Sequence, residues 1–212
     1  MMNLSDLPET IPLFPLPGAV LLPRARLPLH IFEPRYLAMI EDCLKSDRRL
    51  IGMIQPRAGG TEGLAQVGCA GRLTSFSETE DGRCMITLTG VARFTLREEV
   101  AGFQPYRRAR VDFASFGSDL AGMQTDPGLD RRVFLKDLAR YLQASKMGTD
   151  WSNLKEADDE MLVNVLSMLC PFAAEEKQAL LEAPSLPERR KILQTLIAFS
   201  LQSHGSGDET LQ

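Results

Sequence analysis

Residues 11–36 read IPLFPLPGAVLLPRARLPLHIFEPRY, the densest apolar run in the chain, and five prolines divide it before a sixth, Pro34. Proline lacks the N–H that a strand ladder needs, so Ile11–Leu16 and Leu27–Phe32 are expected to be short strands at an edge or with bulges. Pro34 has a different use. In the first turn of a helix its missing N–H costs nothing, so it opens a helix through Tyr36, Leu37, Ile40 and Leu44. A strand that runs directly into a helix fixes the inward faces of both, and this segment therefore sets where the remaining strands pack.

Leu50–Ile54 is a five-residue apolar run suited to a buried strand, and Gln55–Gly63, with Pro56, Gly59 and Gly60, reads as a mobile loop. Gly59-Gly60-Thr61 lacks the spacing and the lysine of a phosphate-binding loop. A second strand region lies within Leu64–Glu80, around Val67, Cys69, Gly71 and Leu73. Asp81-Gly82 then signals a hairpin that pairs Ser75–Glu80 with Cys84–Thr89. Alternation puts Met85, Thr87 and Thr89 on one face and Cys84, Ile86 and Leu88 on the other. Gly90 is expected to break this arm before Ala92–Leu96 resumes it. Tyr106–Phe113 supplies a further strand, with Arg108 and Arg110 on one face. Six short strands punctuated by proline and glycine, with one early helix, favour a small, partly closed barrel over a sandwich.

The texture changes at Phe116–Leu129, a glycine-containing boundary linker, and beyond it the pattern is helical. Asp126-Pro127 is expected to cap and open a helix through Val133, Leu135, Leu138 and Leu142. Met161, Leu162, Val165, Leu166 and Leu169 recur at helical spacing until Cys170-Pro171, and Ala173–Ala183 forms a shorter helix. Ser185 and Glu188 have capping-box spacing ahead of a last helix presenting Ile192, Leu193, Leu196, Ile197 and Leu201 inward. The polar residues from Ser203 are expected to fray. The expectation is an α+β chain: a β-rich pseudobarrel subdomain over 1–117 and an all-helical subdomain over 118–212.

The 24 basic and 28 acidic residues give a net charge of −4, which offers nothing for nucleic acid. The four cysteines never form C-x-x-C and His30 and His204 are far apart, so neither a zinc site nor any other metal or cofactor site is expected. Reduced cysteines, no signal-like start in Met1–Pro8 and no apolar run of membrane-spanning length imply a cytoplasmic protein that does not enter a membrane. For catalysis, His30 is the one internal histidine and sits in an apolar strand. Ser145-Lys146 are adjacent and diverge, and no G-x-S-x-G elbow exists, so no catalytic residue is assigned; a small hydrolase using His30 is the catalytic alternative.

Three stretches carry a resemblance: IPLFPLPGAVLLP with LPLHIFEPRY, then GRLTSFSETEDGRCMITLTGVARFTL, then AAEEKQALLEA with LPERRKIL. In this order they cover nearly the whole chain, which resembles the N-terminal substrate-binding domain of the ATP-dependent Lon protease in a freestanding bacterial form without the ATPase and peptidase domains. A related module occurs in the thalidomide-binding protein family. The resemblance implies a six-stranded pseudobarrel joined to a helical bundle and a role in recognising polypeptide; ATP hydrolysis and proteolysis are not carried over. The functional expectation is a non-catalytic polypeptide-binding module, an adaptor or recognition protein in protein quality control. The alternative is a structural or regulatory protein that binds one folded partner. Binding would use a sheet edge and apolar side chains, with Phe14, Leu16, Val20, Leu21, Leu22 and Arg35 as contacts; for the apolar five, core packing is the competing role.

Overall fold

The structure, a computed structural model, describes residues 3–57, 63–80, 82–148 and 151–207. In chain order the elements are β1 (Thr10–Pro15), β2 (Arg26–Ile31), α1 (Pro34–Lys45), β3 (Leu50–Ile54), β4 (Val67–Glu78), β5 (Cys84–Glu99), β6 (Arg108–Asp112), α2 (Arg131–Ala144), α3 (Trp151–Glu156), α4 (Asp159–Leu169), α5 (Ala174–Glu182) and α6 (Leu186–Gly207). They form two compact units. One comprises Met1–Gly122 with Ala173–Glu182, and so takes α5 from within the helical half of the sequence; the other comprises Met123–Phe172 with Ala183–Gln212.

The first unit is organised by β5, at sixteen residues the longest strand. Along one edge it pairs with β4 from Thr95 to Cys84. Along the other it pairs first with β2, over Cys84–Thr89, and then with β6, over Thr95–Glu99. β6 pairs with β1, β1 runs parallel to β3, and β3 pairs with β4, so β5-β4-β3-β1-β6 returns to β5 as a ring. The fold is the expected α+β arrangement with a six-stranded pseudobarrel. Its interior is packed by Ile11, Leu13, Ile54, Ala70, Phe94 and Phe113, with the Phe94 and Phe113 rings edge to face at 6.1 Å.

Gly90 does not break the strand, contrary to expectation. It pairs with Gly71 of β4, and the two glycines form a notch into which the Leu21–Pro23 segment sits. The backbone of this segment bonds to the strand there, with Arg24 N donating to Gly90 O and Gly90 N to Ala25 O. The glycine thus marks where β5 passes beneath another stretch of chain and changes partner from β2 to β6.

Between those two partners, no strand among the described residues pairs with β5 on that edge, and Asp119 fills the gap. Its carboxylate accepts from the backbone N of Arg93 and from Arg93 Nε and Nη2, all at 2.9 Å, while Nη1 donates to Leu181 O of α5 at 3.1 Å. The Arg93 guanidinium also lies over the Phe116 ring at 4.4 Å. Gln55 and Gln178 supply a second attachment for α5. Gln55 Nε2 donates to Ala174 O and to Gln178 Oε1, and Gln178 Nε2 donates to Val67 O.

In the second unit α6 packs against α2 and α4, with Phe134, Leu138, Leu162, Leu193 and Ile197 buried. The cap of α2 is Asp130, whose side chain accepts from Val133 N, and not Asp126 as the sequence suggested. Asp126 instead accepts from Gly128 N and from Arg190 Nε, because the Pro127-Gly128 turn intervenes before the helix begins. Ser185 Oγ accepts from Glu188 N as expected of a cap, while the Glu188 carboxylate pairs with Lys191. α6 continues past Ser203, where fraying was expected, to Gly207. Among the described residues no helix is long and apolar enough to cross a membrane.

Candidate functional site

The sequence-derived contacts separate into two groups. Phe14, Val20, Leu21 and Leu22 are buried, Leu21 and Leu22 in the segment that fills the Gly71–Gly90 notch, so their side chains serve the core. Leu16 is half-buried and Arg35 is exposed. Arg35 does not reach across to another element: its guanidinium pairs with Glu33 and lies over the Tyr36 ring at 4.6 Å. The structure does not bring the six together as one surface. Residues 58–62 of the expected Gln55–Gly63 loop fall outside the described residues.

One group of exposed apolar side chains lies on β2 and the strands beside it. Because β2 is attached to the ring through β5 alone, it is the one strand among the described residues with a single neighbour. Arg26, Pro28 and His30 point to solvent, while Leu27 and Leu29 are only half-buried and Ile31 is buried. Phe32 follows with 61% of its surface exposed, and its ring meets that of His30 edge on at 6.4 Å. His30 is in register with Met85 of β5, which is 56% exposed and itself in register with Ser77 of β4. Phe76 is 42% exposed at the end of the same hairpin. A shallow concavity of about 390 Å³ runs over Pro28, His30, Met85, Thr87, Ser75 and Ser77. The alternation of Met85 and Thr87 was legible in the sequence; Phe32 and Phe76 were missed because an apolar side chain carries no local sign of its own exposure.

This row does not form a hydrolytic pair. His30 and Ser77 are two strand spacings apart, roughly 9.6 Å, with Met85 between them. A more polar concavity of about 430 Å³ lies near α1 and includes Asp42, Arg48, Tyr106 and Arg108. There Tyr106 Oη donates to Asp42 Oδ2 at 2.6 Å. Burial, reinforced by that hydrogen bond, pushes the phenol up to about 12, so Tyr106 stays protonated and cannot serve as a base at neutral pH. The folded protein holds this proton more tightly than the unfolded chain, whose tyrosines titrate near 10. The associated stability is therefore present below about pH 10 and lost as pH rises through about 12. Burial raises the Tyr36 phenol as well, so ultraviolet titration should show a late-ionising phase that shrinks in Tyr106→Phe; an unchanged late phase would contradict the Asp42 contact. Among the described residues no group of three or more His, Cys, Asp or Glu side chains could hold a metal ion.

Known proteins share this architecture. The family model of the ATP-dependent protease La (Lon) substrate-binding domain matches residues 10–198. Lon protease 2 of Myxococcus xanthus is 23% identical over 203 residues, which is 93% of this chain and 24% of that protein. Lon protease 2 of Thermus thermophilus is 26% identical over 92% of this chain and 25% of its own length. The chain thus spans about a quarter of the length of these relatives. Among solved structures, a Lon N-terminal domain protein from Xanthomonas campestris superposes with a TM-score of 0.61 at 22% identity, covering 88% of this chain and 97% of that one. The N-terminal domain of the Mycobacterium avium complex Lon protease gives 0.63 at 15% identity, covering 89% and 98%.

Proposed function

Because the chain belongs to the ATP-dependent protease La (Lon) substrate-binding domain family, we propose that it binds unfolded or degron-like polypeptide on the open β2 side of its pseudobarrel and performs no chemistry on it. The observation that carries this reading is the exposed row of Phe32, His30 and Met85 beside the one strand with a single neighbour among the described residues. Exposed aromatic and methionine side chains supply contact area with little built-in selectivity, which suits recognition of many clients. Arg35, which follows Phe32 after Glu33 and Pro34, is the sequence-derived contact best placed to meet an acidic group there. In this reading the protein acts in the cytoplasm as an adaptor that hands clients to a separate protease.

The test is fluorescence anisotropy with a labelled, reduced and carboxymethylated model protein. Replacing Phe32 and Met85 together by serine should weaken binding by at least about tenfold, the loss of roughly 1.4 kcal/mol or more expected when central apolar anchors are truncated. Because both side chains are exposed, thermal stability should hardly change. Undiminished binding by the folded double variant would sink the proposal. A single folded partner is the second reading, favoured by Phe103, which stands wholly in solvent in the loop between β5 and β6. A partner complex lost on Phe103→Ser and kept in the Phe32/Met85 variant would favour it.

A further inference from the structure

Resting on that binding reading, we infer that β2 takes its polypeptide by strand addition, and that it selects an extended segment whose apolar side chains alternate. The first support is the hydrogen-bonding direction along β2. In an antiparallel pair, successive residues turn their backbone groups alternately toward and away from the neighbour. Pro28, in register with Thr87, has no N–H to give β5 and so occupies an outward-facing position. With a period of two, Arg26 and His30 turn outward as well. The open edge therefore offers the N–H and C=O of Arg26 and His30 and the C=O of Pro28. Among the described residues, the backbone bonds made outside the strand ladders involve none of these three.

The side chains give the second support. Leu27, Leu29 and Ile31 lie on the inward face, yet Leu27 and Leu29 are only half-buried, since among the described residues no further strand lies beyond β2. A guest strand would place every second side chain against Leu27 and Leu29, where apolar groups fit. Its other side chains would share the face of Arg26, Pro28 and His30, where acidic or hydroxyl groups fit.

Pro28 also argues for a guest segment over a second copy of the chain. A two-fold antiparallel pairing centred on β2 would set Pro28 against Pro28, two carbonyls with no donor between them. A guest residue brings its own N–H to that carbonyl.

The probe is a fluorescein-labelled heptapeptide alternating leucine with threonine and carrying one glutamate among the threonines, compared with versions N-methylated on the leucine amides or on the remaining amides. Strand addition predicts a loss of about tenfold or more confined to one alternating set, each lost ladder bond being worth up to about a factor of ten. Loss in the threonine and glutamate set denotes an antiparallel guest, and loss in the leucine set a parallel one. Equal losses in both sets, with the peptide still released by the Phe32/Met85 substitutions, would overturn strand addition and leave the binding site standing. Binding indifferent to the Phe32/Met85 substitutions would overturn the binding reading itself. As a second measurement, Pro28→Val completes the outward ladder and should give concentration-dependent self-association in analytical ultracentrifugation. A strictly unchanged sedimentation profile would contradict the outward direction of residue 28.

Discussion

Gly90→Ala is expected to cost the pseudobarrel about 3 kcal/mol or more, at the upper end for overpacking a well-packed interior. A Cβ at this position would lie 2.0 Å from Leu22 O, 2.8 Å from Leu22 C and 3.2 Å from Pro23 Cα. All three are backbone atoms, so relief requires the Leu21–Pro23 segment to lift out of its notch. That movement would expose Leu21 and Leu22, which are fully buried, and strain the bonds from Arg24 N to Gly90 O and from Gly90 N to Ala25 O. The paired glycine offers an internal control. A Cβ on Gly71 would meet Leu21 Cδ2 at 2.6 Å, the end of a side chain that can rotate, so Gly71→Ala should cost less, about 1 kcal/mol. Urea denaturation of both variants checks the order. Equal, small effects would mean that the proline-rich segment is not seated on the strand pair as described.

The same notch shows what could be read from residues alone. Pro34 opening α1 and the Asp81-Gly82 signal between β4 and β5 depend on local backbone chemistry, and the elements stand where that chemistry puts them. Asp81 itself is outside the described residues. Gly90 is different, because a glycine can end a strand or let another backbone approach, and only the position of Leu22 distinguishes the two. The AVLLP stretch is ambiguous in the same way: lying between breakers, it resembles an exposed loop until Gly71 and Gly90, far along the chain, supply its seat. Asp126 was misread as a cap because its preference for helix starts is shared with tight turns, and Pro127-Gly128 favours the turn. The exposed site was legible only in part. Pro28 announced an edge, but the exposure of Phe32 and Met85 depends on β6 taking over the second half of β5 and leaving β2 with one neighbour.

The Arg93–Asp119 pair had no sequence signal at all, since 26 residues separate the partners, and it carries the other large expected effect. Both side chains are 2% exposed. Asp119→Ala would take away the carboxylate that accepts from Nε and Nη2 of the buried guanidinium and from the Arg93 backbone N–H, a change expected to cost about 3–5 kcal/mol. The Coulombic attraction is not the whole of this. Replacing a buried ion pair by apolar groups of similar volume is often neutral, so Asp119→Leu combined with Arg93→Met should recover much of the loss. Recovery should remain incomplete by about 1–3 kcal/mol, because the Arg93 N–H still faces the gap between β2 and β6 and no side-chain substitution at 93 removes it. Asp119→Asn keeps an acceptor for that N–H and should therefore fall between Asp119→Ala and the wild type. Urea midpoints for the three variants separate the contributions. If the apolar double variant matched the wild type, the carboxylate would not be standing in for the missing strand, and its role would reduce to neutralising Arg93.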